Sequence, residues 1–552
     1  MDKRSSRIIK SASAFLAVLI IVVVILLINQ KRRVDEHHKA VLKETINYNE
    51  EYDERLMDFF SLAEDEFKAR EADVAKREND YIRYTSEEYG ASHISMWDIS
   101  ALNGGLYPEF FGYPIVYSDY QYKTPMELRE YLTTILESGN DLNHIYINID
   151  PFMLEQNYNT ATYYDENPKA FEEYINNEIL QLFNEYPDKS FELFLPARPT
   201  SYWATMQTED FNSIMDKWYV FLMYLRWCPN VTVRYMGDQE WLVSNDYNYA
   251  TPEGFTDEVM SKVYMYLYAY VQYEITPPEL KEKKGVIDKY IRKEKNGDYN
   301  ICDLSGKKIV FLGDSLFDYI NVNSLSVPGV VQRMTGAECY NLAISGTLAS
   351  AYDPNGFTRV ANALSMKSTT DYESRYKIEA ERFLRDYSAD DSILFVILYG
   401  LNDYSSCVPL TEKDVVITDS DETQGDGSDE EAGKVVFKQE DAFESSVKYG
   451  IEVLKSGYPN ADFMIVSPYG PDGNNGGKEP FAEGGQPLGK YVDMLKSISK
   501  SEGLFYYDMY NDGPINAKNR SEFLADGTHT NEKGAFLLGE NIAKVIGTTL
   551  ND

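Results

Sequence analysis

Hydrophobic positions change their spacing several times along this chain, and each change marks a different kind of element. From Ala12 to Ile28 the run ASAFLAVLIIVVVILLI carries no charge. With help from its flanks it is long enough to cross a hydrocarbon core about 30 Å thick, so it predicts a transmembrane helix. From about Val34 to Tyr89 apolar residues fall irregularly among Glu, Lys, Arg and Ala with no proline, which predicts a helical stalk rather than a coiled coil. Between about Ser92 and Tyr273, short β-like runs (YINID at 146–150, FELFLP at 191–196, VTVRYM at 231–236) alternate with helical stretches such as AFEEYINNEILQLFNEY. That alternation predicts a parallel α/β layer domain. A lysine-rich connector runs from Pro277 to Asn300. A second α/β series follows, with strands expected at KIVFLG, ECYNLAI, SILFVILYG, DFMIVSP and LFYYDMY and a last helix from about Asn531 to Ile546.

A chain of 552 residues exceeds one ordinary core. The expected layout is a cytoplasmic tail and anchor (1–33), a stalk (34–90), a first α/β domain (91–285), a linker (286–304) and a second α/β domain (305–552). Lys3, Arg4, Arg7 and Lys10 precede the apolar run and Lys31, Arg32 and Arg33 follow it. This bias is small but favours a cytoplasmic N-terminus, with the globular domains outside the membrane. A cleaved signal peptide is the rival reading, but NQKRR after Ile28 offers no small-residue cleavage site.

The net charge of −36 makes nucleic acid and anionic membrane surfaces poor partners. Four cysteines without a CxxC spacing argue against a zinc module and a disulfide scaffold, though one bridge stays open. No metal site or cofactor is expected, because the five histidines do not cluster. The acidic segment Thr411 to Lys434 reads as a solvated loop; Gln424 stands where a calcium loop needs glycine.

Chemistry concentrates in the second series. KKIVFLGDSLFDY sets Gly313, Asp314 and Ser315 directly after a buried strand, where ligands collect in parallel sheets. A serine there is also an ordinary helix cap. Near the other end, LADGTHTNEKG holds Asp526 and His529 three residues apart. Such a turn can present a carboxylate and an imidazole to one cleft, the first orienting the second as a base toward a serine. After His144, His529 is the only histidine, so Ser-His chemistry in this domain must use it. Gly346 (NLAISG) and Asn402 (LYGLNDY) each follow a predicted strand, and with the Ser315 N–H they are candidate donors to an oxyanion.

In this order, GDS, the glycine after the second strand, GxND and DxxH resemble the four sequence blocks of the SGNH (GDSL-like) hydrolase superfamily over about residues 306–550. The resemblance implies a flavodoxin-like three-layer α/β/α domain whose members are esterases, lipases, carbohydrate deacetylases and acyltransferases. It implies a triad of Ser315, Asp526 and His529 and an oxyanion hole of Ser315, Gly346 and Asn402. The first domain resembles a degenerate SGNH-like domain of the teichoic-acid D-alanylation and surface-polymer acylation type. Its DxxH-like element falls on Asn245 to Tyr249, with Asn248 or Tyr249 in the histidine place. Neither is a general base at neutral pH, so this domain is expected to bind or scaffold. Tyr202 and Trp203 are either a sugar-stacking face or core.

Three functions remain open on sequence alone. One is a membrane-anchored esterase that removes acyl groups, acetyl foremost, from a surface or exported glycan. The others are an O-acyltransferase working beside a membrane acyltransferase partner, and a non-catalytic surface-polymer binding or assembly protein. The glycine-rich run Gly470 to Gly489, after the fourth predicted strand, is either a substrate loop or a plain linker.

Overall fold

A computed structural model describes residues 180–551, except for 226–227, 252–253, 257, 261, 264–265, 267–272, 321, 370–374, 416–436. Before residue 180 it describes 93–96, 115–118, 132, 133, 136 and 144–148. The predicted anchor (12–28), the stalk and most of the acidic loop lie outside the described residues.

Among those residues the chain forms two compact units. The first comprises residues up to 197, 208–236 and 260–284; the second comprises 198–207, 237–259 and 285–552. The boundary therefore differs from the sequence layout, which ended the first domain at 285 and began the second at 305 after a linker. Two segments assigned there to the first domain, including Asn245 to Tyr249, fold with the second.

The first unit carries a parallel sheet of β1 (His93–Met96), β2 (Ile115–Ser118), β3 (His144–Asn148), β4 (Ser190–Leu195) and β5 (Val231–Tyr235), ordered β2-β1-β3-β4-β5. Between its strands run α1 (Leu180–Glu185) and α2 (Thr208–Leu225). The apolar face of α2 (Phe211, Ile214, Met215, Trp218, Phe221, Leu222 and Leu225) is buried, the helical repeat expected of a covering layer.

The connector expected between the domains is instead a helix, α3 (Pro277–Asn296). Its start is fixed locally: the Glu279 carboxylate accepts hydrogen bonds from the N–H and hydroxyl of Thr276, at 2.7 Å each. Pro277 then needs no partner for a missing N–H, and a Lys- and Glu-rich sequence continues the helix.

The second unit is built on β6 (Lys307–Gly313), β7 (Glu338–Asn341), β8 (Ser392–Leu398), β9 (Asp462–Val466) and β10 (Phe505–Tyr507), all parallel and ordered β10-β9-β8-β6-β7. Counted from its own first strand, this is the 2-1-3-4-5 order of flavodoxin-like sheets. Consecutive residues Ile309, Val310, Phe311 and Leu312 are all fully buried, so both faces of the sheet are covered. Helices α5 (Val327–Thr335) and α11 (Glu532–Asn551) pack together as one group; α6 (Phe357–Ser365), α9 (Phe443–Gly457) and α10 (Leu488–Glu502) form another. The one-turn helix α4 (Ser315–Asp318) precedes α5, and α7 (Arg375–Asp386) and the short α8 (Leu401–Ser405) lie between α6 and α9 in sequence. Chain order reverses between β6 and β8, where Gly313 pairs in register with Leu398. A ligand crevice is expected at that switch point, outside the carboxyl ends of the strands.

Candidate active site

β6 ends in a close approach that admits only glycine. A Cβ on Gly313 would lie 2.7 Å from the Leu398 carbonyl oxygen of the paired strand. The chain then turns at once into α4, capped by Asp314, whose Oδ1 accepts the Leu316 N–H at 2.9 Å. Ser315 is the first residue of that turn and is 7% exposed. Asp314 is fully buried, and burial pushes its carboxyl up to about 7.

The imidazole arrives from the loop before α11. Gly527, at φ 83°, lets the turn fold back so that Asp526 Oδ1 accepts the N–H groups of Thr528 (2.9 Å) and His529 (2.7 Å). Asp526 Oδ2 lies 2.6 Å from His529 Nδ1, and His529 Nε2 lies 2.8 Å from Ser315 Oγ. Partial burial pulls the Asp526 carboxyl upward. The hydrogen bonds from the His529 ring and from the His529 and Thr528 N–H groups outweigh it and hold the group below its ordinary value. An ionised carboxylate only accepts, so Nδ1 carries the proton and Nε2 turns a lone pair toward the serine hydroxyl.

The two predicted oxyanion residues other than the serine meet through a short loop after β7. Asn402 Nδ2 donates to the Thr347 carbonyl at 3.1 Å, which engages one amide hydrogen and leaves the second. Gly346, one residue earlier, is exposed with φ 79°. The other end of the loop is held by Asp403, whose carboxylate oxygens accept the N–H groups of Ala349 and Ser350 at 3.0 Å each. Burial pushes Asp403 up to about 7 as well.

Four contributors were not singled out by sequence reasoning. The Tyr319 ring lies flat against the His529 imidazole, with centroids 4.3 Å apart and planes 7° from parallel. Buried Tyr469 donates its hydroxyl to the Thr528 carbonyl at 2.6 Å, bracing the histidine turn; burial raises its pKa well above the ordinary value. Asp318 binds Ser345, and Asp403 binds the Ala349–Ser350 backbone. The only signal available was position, since all four follow β6, β8 or β9 within a few residues.

The run Gly470 to Gly489 borders the histidine turn. The Asp472 N–H donates to the Gly527 carbonyl at 2.7 Å, and Arg520 bonds the Pro471 carbonyl and pairs with Asp472 at 3.5 Å. Further along, Tyr404 donates to the Glu479 carbonyl at 2.8 Å, and Phe481 is 54% exposed.

The histidine-like place expected in the first domain has another use. Asn248 is fully buried and donates to the Trp241 and Leu242 carbonyls at 3.3 and 2.8 Å, while Asn245 donates to the Ser324 carbonyl at 2.7 Å. These amides stitch loops within the second unit. Trp203 is 2% exposed, which makes it core rather than a stacking face. All four cysteines are free.

No family model matches the sequence, and no curated protein matches it. Solved structures are similar over about the length of one domain. A protein from Lactobacillus plantarum is 16% identical, with 45% of this chain and 98% of that one covered and a TM-score of 0.30. A carbohydrate acetylesterase family member from Sinorhizobium meliloti is 15% identical, covering 45% and 100%, with a TM-score of 0.28. The aryl esterase of M. smegmatis is 16% identical, covering 44% and 99%, with a TM-score of 0.27.

Proposed function

We propose that the second unit is a serine esterase of the SGNH type, and that the whole chain is a membrane-tethered, extracytoplasmic enzyme removing acyl groups, acetyl foremost, from a cell-surface or exported glycan. The observation that carries the esterase part of this reading is the unbroken chain from Asp526 through His529 to Ser315, at 2.6 and 2.8 Å.

In this reading Ser315 Oγ attacks the ester carbonyl while Nε2 of His529 takes its proton. Asp526 stabilises the imidazolium and keeps its ring oriented. The tetrahedral oxyanion is met by the main-chain N–H groups of Ser315 and Gly346 and by the free hydrogen of the Asn402 amide. Collapse breaks the C–O bond, and His529 returns the proton to the leaving sugar oxygen. Water, deprotonated by the same imidazole, then attacks the acyl-Ser315, and a second collapse frees the carboxylic acid. A sugar hydroxyl taking the place of that water would make the protein an O-acyltransferase, with no change up to the acyl-enzyme. The tether rests on the uncharged run Ala12 to Ile28, and deleting residues 1–33 should move the protein from the membrane to the soluble fraction.

Labelling with a fluorophosphonate tests the reading, because the probe reacts only with an activated serine. Wild type should label and Ser315→Ala should not, with kcat on an aryl acetate falling by about 10⁴-fold or more. An unlabelled wild type would instead favour a non-catalytic surface-polymer protein. Acetyl release assayed with and without an acceptor glycan separates hydrolysis from transfer.

A further inference from the structure

The α4 turn that carries Ser315 also carries Asp318, one helical turn later and aimed at a different partner. A single carboxylate oxygen of Asp318, Oδ2, accepts both the main-chain N–H of Ser345 (3.0 Å) and its hydroxyl (2.8 Å). Ser345 immediately precedes Gly346, and on the far side of that glycine the Thr347 carbonyl is bonded to Asn402. Gly346 has a left-handed backbone and an open surround, with nothing within 4 Å of where a Cβ would stand. With that side open, the Gly346 peptide is held by the hydrogen bonds of its neighbours: Ser345 to Asp318, and Thr347, whose N–H and hydroxyl donate to the Ile344 carbonyl at 3.4 and 2.7 Å and whose own carbonyl accepts from Asn402.

We propose that Asp318 is the positioning residue of the oxyanion loop, tying the Gly346 N–H to the same turn that presents the nucleophile. The inference rests on the esterase reading above. Donors to an oxyanion act only when held at hydrogen-bond distance from where the charge develops, so a loop free to drift loses transition-state stabilisation and keeps ground-state binding. A carboxylate on the nucleophile's own turn fixes that distance for both groups together.

The test uses the full-length protein with 4-nitrophenyl acetate and the tetrahedral-adduct inhibitor phenylboronic acid. Asp318→Ala should lower kcat by about 10- to 100-fold with KM changed by less than about twofold, and raise the Ki of the boronate in proportion. Asp318→Asn should recover at least about threefold of the lost kcat, because one amide carbonyl can accept both Ser345 bonds. If Asp318→Ala loses its thermal transition, Ser345→Ala, which deletes only the hydroxyl bond, should still lower kcat by about threefold at unchanged KM. A kcat within about twofold of wild type in the folded variant, or a fall matched by a rise in KM with boronate binding unaltered, overturns the assignment. A wild type that neither turns over nor binds boronate sinks the esterase reading itself, which is a separate result.

Discussion

The imidazole of His529 is constrained from three directions: Asp526 at Nδ1, Ser315 at Nε2 and the Tyr319 ring across its face. Each contact has its own signature on substitution. Asp526→Asn places an amide where a carboxylate fixed the tautomer, so kcat should fall by about 10³- to 10⁴-fold with little change in KM. Tyr319→Phe retains the stacked ring and should stay within about threefold of wild type. Tyr319→Ala frees the imidazole to rotate and should lower kcat by about tenfold; equal rates for the two variants would show that the stack does not matter. Tyr469→Phe removes the hydroxyl donated to the Thr528 carbonyl. It should cost about 1 kcal/mol in urea unfolding and lower kcat more than it raises KM. Ser315 and His529 were legible as a pair from scarcity of histidine. Tyr319 and Tyr469 were not, because tyrosine is abundant here and nothing local distinguishes these two.

Elements decide how far these side chains can stray. The β6-to-α4 turn is rigid for a steric reason, and Gly313→Ala forces a methyl to within 2.7 Å of the Leu398 carbonyl. We expect about 1–3 kcal/mol of destabilisation, read as a lowered Tm, together with lost activity as Ser315 shifts. The Gly470 to Gly489 segment is tied at its start to the histidine turn through Asp472 and midway, at Glu479, to Tyr404, two residues beyond Asn402. As a substrate loop, its shortening should raise KM on an acetylated polymer more than on an aryl acetate, and equal effects would reduce it to a linker. Strand runs were readable within a residue or two at β4, β5, β6 and β9, and at β6 and β9 the reason is that buried parallel strands are continuous apolar stretches. α3 was read as a connector because its charge masked an ordinary helix former with a good start.

At the scale of the molecule, two parallel sheets share one strand order, yet only the second unit joins a serine, an imidazole and a carboxylate among the described residues. Its buried carboxyls also give stability a pH dependence of definite sign. Asp314 and Asp403, pushed up to about 7 by burial, bind protons in the native state over a range where an unfolded chain has released them. Their contribution is complete below the ordinary carboxylate range, near 4, and is lost as pH rises through about 7. Asp314→Asn keeps the Leu316 bond and cannot ionise. Its Tm relative to wild type should therefore climb between pH 5 and pH 8; a constant difference would mean that Asp314 does not titrate there.

The sequence alone determined the alternation of strands and helices, the excess of negative charge, the uncharged N-terminal run and the one histidine available to Ser315. All of these are properties of short windows or of composition. Only the tertiary structure decided that Ser315 and His529, 214 positions apart in the chain, bring hydroxyl and imidazole to 2.8 Å. It also decided that Asn245 to Tyr249 serves the second unit and that Asp318 reaches Ser345. Contacts between distant segments depend on sheet order and on which loops leave the same end of adjacent strands, and no local spacing encodes that.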